Sequence, residues 1–174
     1  MARVFAILVL TLVARVASAD VHDTRFVSID GGYIDMADFA GQPVLVVNTA
    51  SRCAFTDQYE DLQALYDQYR DAGLVVLAVP SNDFRQELAT GEEVQAFCEL
   101  TYGIDMPMAD ITRVKGRDAH PFYKAVREQT GFVPAWNFNK VLIGPDGVVV
   151  ETWGSRASPT SPKVTRVVRG LLPS

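Results

Sequence analysis

Cysteine and histidine are scarce in this chain, with two of each among 174 residues. So few cysteines exclude a disulfide-framed mini-domain. A Cys-x-x-Cys pair is also missing, since Cys53 is followed by Ala54, Phe55 and Thr56. That speaks against a thiol–disulfide oxidoreductase, and the wide separations give no metal-ligand spacing. Basic charge is in deficit: 16 Lys and Arg against 21 Asp and Glu leave a formal charge of −5. A nucleic-acid binder would carry a basic patch. Internal repeats and low-complexity tracts are absent. The length is that of one domain and the composition is ordinary for a globular protein.

Long apolar runs are likewise lacking beyond the first residues. There Arg3 precedes Val4-Phe5-Ala6-Ile7-Leu8-Val9-Leu10-Thr11-Leu12-Val13-Ala14, and Ala17-Ser18-Ala19 matches a small-residue cleavage pattern. Arg15 interrupts the run, so it is short for a membrane span. We expect residues 1–19 to be an export signal, with an uncleaved anchor as the alternative. Residues 20–174 then form one domain in the periplasm or outside the cell. Export implies an oxidising compartment, where Cys53 and Cys98 could form a structural disulfide.

The remaining chain alternates strand and helix signals. Phe26 to Met36 reads as a hairpin with Asp30-Gly31-Gly32 at its turn. Pro43 to Ala50 is a continuous apolar strand, as expected when both sheet faces are covered. Tyr59, Leu62, Leu65, Tyr66 and Tyr69 mark one helical face ending near Gly73. Leu74 to Pro80 is a second buried strand. Thr90 and Glu93 form a capping box for a helix containing Val94, Phe97 and Cys98. A weak strand follows, and then a helix from Pro121 to about Thr130. Val141 to Val150 is a hairpin around Pro145-Asp146-Gly147, and Ser161-Pro162 opens a closing helix. This order predicts an α/β thioredoxin-like fold: a mixed central sheet, helices on both faces and an N-terminal β-hairpin.

Cys53 lies where the first buried strand gives way to a helix, in the first helical turn or just ahead of it. Backbone N–H groups at a helix N-terminus favour a thiolate. Reducing a peroxide requires such a thiolate, hydrogen-bond donors around it and a thiol to regenerate it. Trp136 and Asn137, just before the last hairpin, are candidate donors, although they would have to curl over the end of the sheet that carries the thiol.

Four segments carry a specific resemblance. Asn48-Thr49-Ala50-Ser51-Arg52-Cys53-Ala54-Phe55-Thr56 resembles the active-site signature of the glutathione peroxidase family. Trp136-Asn137-Phe138-Asn139-Lys140 resembles that family's Trp-Asn-Phe-x-Lys segment. Asn82-Asp83-Phe84 stands where the family has Asn-Gln-Phe, and Ala119-His120-Pro121-Phe122-Tyr123 resembles its Ala-His-Pro-Leu-Tyr. The similarity runs colinearly from about Phe26 to Leu172.

The resemblance implies a thiol-dependent peroxidase that reduces hydrogen peroxide or organic hydroperoxides in the response to oxidative stress. Cys53 would be the peroxidatic residue, forming a sulfenic acid, with Trp136 and Asn137 pointing N–H groups at its sulfur. The family's glutamine falls on Asp83, whose carboxylate would repel a thiolate. We therefore expect Gln86 or Arg85 to compensate, because the family's glycines in this loop are also missing. Cys98 is the resolving candidate, one residue before the family's position. It is read as a resolving thiol, an inert buried cysteine or one half of a permanent disulfide with Cys53. The short segment between Val126 and Trp136 resembles the monomeric, thioredoxin-dependent branch. The implied co-substrate is a thioredoxin-like protein or glutathione, with no further cofactor. A redox sensor or binding module on the same fold is the alternative. His120 is read as a helix-start or surface residue and Trp153 as core or sheet surface. Arg52 is read evenly as a thiolate partner or as pointing away.

Overall fold

The computed structural model describes residues 20–173. The expected export signal, residues 1–19, lies outside the described residues. Arg25–Val27 (β1) and Tyr33–Asp35 (β2) pair antiparallel, with Gly31 and Gly32 at φ +90° and +74° in the turn between them. Those angles are free for glycine and strained for residues with a Cβ.

Val44–Thr49 (β3) is buried at every position. The chain then passes through Gln58–Tyr69 (α1) and Val75–Pro80 (β4), a second strand buried throughout. Gly91–Tyr102 (α2) and Pro121–Thr130 (α3) follow, then Lys140–Ile143 (β5), Val149–Trp153 (β6) and Pro162–Arg169 (α4). The sheet order is β4-β3-β5-β6, with β3 parallel to β4 and antiparallel to β5.

The continuous apolar strands have a direct structural reason. Leu45 and Val47 face one core with Leu62 and Leu65 of α1, Val94 of α2 and Val164 and Val168 of α4. Val44 and Val46 face the other, with Phe26 of β1 and Phe122 and Val126 of α3. The mixed sheet with helices on both faces and a separate N-terminal hairpin is the architecture the sequence pattern predicts.

Two local expectations need correction. The weak strand after α2 is not a strand. Met108 and Ala109 make single bridges, parallel to Ala78 and antiparallel to Ser28, with Pro107 beside them. Proline lacks the donor a longer ladder needs. The capping box also closes differently: Thr90 Oγ1 accepts the Glu93 N–H, but Glu93 Oε2 reaches the N–H of Ala89.

Candidate active site

Cys53 sits in a series of tight turns between β3 and α1, five residues ahead of the first helical residue, Gln58. The thiol thus takes the second of the two expected placements, just ahead of the helix and not within its first turn. Thr56 is the cause. Its hydroxyl accepts the Cys53 N–H at 3.0 Å and lies 2.6 Å from the Cys53 carbonyl and 3.1 Å from that of Ala50. A side chain satisfying backbone groups in this way competes with helix formation. The N–H aimed at the sulfur comes from Phe55, at 3.5 Å from Sγ. The thiol is about nine-tenths buried.

The antiparallel pairing of β3 with β5 brings the start of β5 level with the thiol end of β3, opposite Val47. Trp136 and Asn137 lie in the bend and turn that lead into the start of β5. Asn48 makes the join. Its Nδ2 donates to the Trp136 carbonyl at 3.0 Å, and its Oδ1 accepts the Asn139 N–H at 3.1 Å. Phe138 takes a left-handed φ of +57°, and its ring is buried in the core against Tyr59. Asn137 is fully buried and donates from Nδ2 to Gln86 Oε1 at 2.9 Å. The Gln86 carbonyl accepts the Arg52 N–H at 2.9 Å. The Trp136 ring is half-exposed against Phe84, with centroids 5.4 Å apart. It also lines an open cleft with Phe55, Ser155, Arg156 and Lys163.

Asp83 points elsewhere. Its Oδ2 accepts the N–H groups of Val114 at 2.7 Å and Lys115 at 3.1 Å. Arg85 is exposed at φ +59°, so the loop keeps a glycine-like backbone with an arginine in place. Gln86, not Asp83, is the amide joined to Asn137. Asp83→Asn is accordingly expected to leave the peroxide rate within about twofold, while Gln86→Ala lowers it about tenfold or more. Steady-state peroxide consumption measures both, and the opposite ranking would reassign the loop.

Cys98 is buried on the inward face of α2, and burial pushes its thiol up to about 11. Cys53 and Cys98 are both free in this structure. Arg52 is exposed. His120 caps α3: Nδ1 accepts the Phe122 N–H and Nε2 lies 2.9 Å from the Arg25 carbonyl, with the ring stacked on Phe26. Burial lowers its imidazole below the ordinary range. Trp153 is core. Among the described residues no group of three His, Cys, Asp or Glu side chains could hold a metal.

The family model described as glutathione peroxidase matches residues 21–127. The chain belongs to the glutathione peroxidase family. It is 38% identical over 144 residues to a glutathione peroxidase of Lactococcus lactis, covering 79% of this chain and 91% of that protein. It is also 38% identical over 159 residues to glutathione peroxidase 7 of Homo sapiens, covering 88% and 84%. The crystal structure of T. cruzi GPX1 superposes with a TM-score of 0.66 at 28% identity, covering 88% of this chain and 94% of that one.

Three side chains of this glutathione peroxidase family member lie within the segments that carry the resemblance but received no role of their own from the sequence. Thr56 and Asn48 lie inside the signature but act through backbone groups. Lys140 is the third. It is fully buried, and its Nζ donates to Gln58 Oε1 and the Phe138 carbonyl, each at 2.8 Å. Burial lowers this ammonium to about 7, against a weaker opposing pull from Asp61. An unfolded lysine holds its proton to about pH 10.4, so between these values the unfolded state binds more protons. Stability from this group therefore rises with pH across that window. Thermal melts should show wild type gaining on Lys140→Met as pH rises through it; a gap independent of pH would reject the depressed lysine.

Proposed function

We propose that this protein is a thiol-dependent peroxidase acting through Cys53 on hydrogen peroxide or organic hydroperoxides. The observation carrying this reading is the Phe55 N–H on the Cys53 sulfur, with the Gln86–Asn137 pair tied to the adjoining Arg52. The thiolate attacks one peroxide oxygen, the O–O bond breaks, and the leaving oxygen takes a proton to become water or an alcohol. Cys53 is left as a sulfenic acid. An incoming thiol then attacks that sulfur and expels water, and a second thiol releases the resulting disulfide. Trp136 and Asn137 would stabilise the sulfur and the departing oxygen. The two thiols supply both electrons and the peroxide accepts them, so the cycle balances without a metal or prosthetic group.

The reductant is a thioredoxin-like protein or glutathione, and the protein works as an exported monomer in defence against oxidative stress. Among the described residues no helix is long and apolar enough to cross a membrane. Turnover of peroxide by the mature chain, with each donor offered separately, tests the proposal. Sustained consumption with either donor is expected, and consumption limited to a single equivalent with both would favour a sensor. Mass spectrometry after peroxide treatment assigns Cys98. A Cys53–Cys98 bridge gives it the resolving role, and a Cys53 sulfinic acid beside free Cys98 excludes it.

A further inference from the structure

Three consecutive carbonyls ahead of β5 are each met by a side chain from a different place in the chain. Asn48 donates to that of Trp136 at 3.0 Å, and Lys140 to that of Phe138 at 2.8 Å. Between them, the Asn137 carbonyl accepts the Ser155 hydroxyl at 2.5 Å. Ser155 follows the edge strand β6. Trp153 of β6 lies opposite Lys140 of β5, and the antiparallel course carries the chain on to the turn that holds Asn137.

Ser155 is buried, and its own place is fixed twice. Asn139 Nδ2 donates to its Oγ at 2.9 Å, and Gln58 Nε2 to its carbonyl at 2.6 Å. A serine hydroxyl has one proton and two lone pairs. With the Asn139 amide donating into the oxygen, the proton is left for the Asn137 carbonyl. Asn139 is held in turn, because its Oδ1 accepts the Ala135 N–H at 3.0 Å.

The Asn137 side chain has little else to aim it. It makes one hydrogen bond, from Nδ2 to Gln86 Oε1, and its Oδ1 is buried without a partner. An amide with one bond can pivot about it, so its direction is set by the backbone. The peptide unit joining Asn137 to Phe138 is planar. Ser155 holds its carbonyl, and the Asn48 carbonyl accepts its N–H from the opposite edge.

We propose that Ser155 is a positioning residue for the Asn137 amide, fixing the Asn137–Phe138 peptide plane so that the amide stays on Gln86 beside the thiol loop. The proposal rests on Asn137 serving the Cys53 sulfur. Without the hydroxyl the plane keeps one anchor, the amide swings about Gln86, and the donor is misplaced when the O–O bond breaks.

The test follows the stopped-flow reaction of the full reduced chain with hydrogen peroxide, with thermal melts alongside. Ser155→Ala should react about tenfold more slowly than wild type, and Ser155→Thr, which keeps the hydroxyl, within about threefold of it. In an Asn137→Ala background the Ser155→Ala change should cost less than about twofold, because the group it aims is gone. A serine that only braced the loop would slow both backgrounds alike. Asn139→Asp reaches the same contact by a second route and serves if Ser155→Ala does not fold. Aspartate keeps an acceptor for the Ala135 N–H, but it turns the donor facing Ser155 into an acceptor that draws the hydroxyl from Asn137. It should slow wild type at least about fivefold more than it slows Asn137→Ala, its added charge acting on both backgrounds. Ser155→Ala within about twofold of wild type, Ser155→Thr as slow as Ser155→Ala, or equal slowing of both backgrounds by either change would overturn the proposal. Cys53→Ser or Asn137→Ala reacting like wild type would instead sink the underlying reading, and a failure of Ser155 alone leaves both of those variants slow.

Discussion

Replacing Cys53 by serine is expected to abolish peroxide reduction, by at least about 10³-fold, because a serine hydroxyl stays protonated where a thiolate forms. The exchange is nearly isosteric. The Cys53 N–H still meets Thr56 Oγ1, and the Phe55 N–H still meets the side-chain atom. Melting temperature should therefore hardly change. Peroxide consumption with either thiol donor, together with a thermal melt, measures both quantities. A serine variant that keeps a tenth of the wild-type rate would move the chemistry away from this sulfur.

The second large effect belongs to Asn137. Its amide is fully buried and supplies the donor to Gln86, and its backbone carbonyl accepts the Ser155 hydroxyl. Asn137→Ala removes that donor and strands Gln86 Oε1, so the peroxide rate should fall about 10²-fold. The fold should lose about 1–3 kcal/mol from the unsatisfied group. Asn137→Asp separates the two contributions. It keeps the volume but turns a donor into an acceptor facing Gln86, so its rate should fall at least as far as that of the alanine variant. Stopped-flow rates and denaturant melts on the pair decide the matter. A wild-type rate in both variants would remove Asn137 from the chemistry.

The loop from Ser81 to Leu88 shows where sequence reading stopped. Asp83 stands in the position of the family glutamine, and its role could not be read along the chain. The carboxylate turns to the N–H groups of Val114 and Lys115, some thirty residues on. Gln86 was a candidate on proximity alone, and its bond to Asn137 spans 51 residues. Glu87 passed without notice because a glutamate in a polar loop reads as solvated. It is buried and accepts the Ser51 N–H, a partner 36 residues away. Cys53 falls just ahead of α1, not in its first turn, for a smaller reason: the Thr56 hydroxyl captures backbone groups that a helix would otherwise use.

By itself the chain determined the helices, the hairpins and every strand but the weak one after α2, because apolar period, capping and turn chemistry act over a handful of neighbouring residues. It also singled out Cys53, through a signature contiguous in sequence. Tertiary structure alone decided which polar groups face one another. The antiparallel register of β3 on β5 lays Asn48 against Trp136 and Asn139, 88 and 91 residues away. Burial then left Lys140 and Glu87 dry, and a group's proton affinity follows the water it has lost. Both depend on contacts between distant segments, to which local sequence pattern is blind.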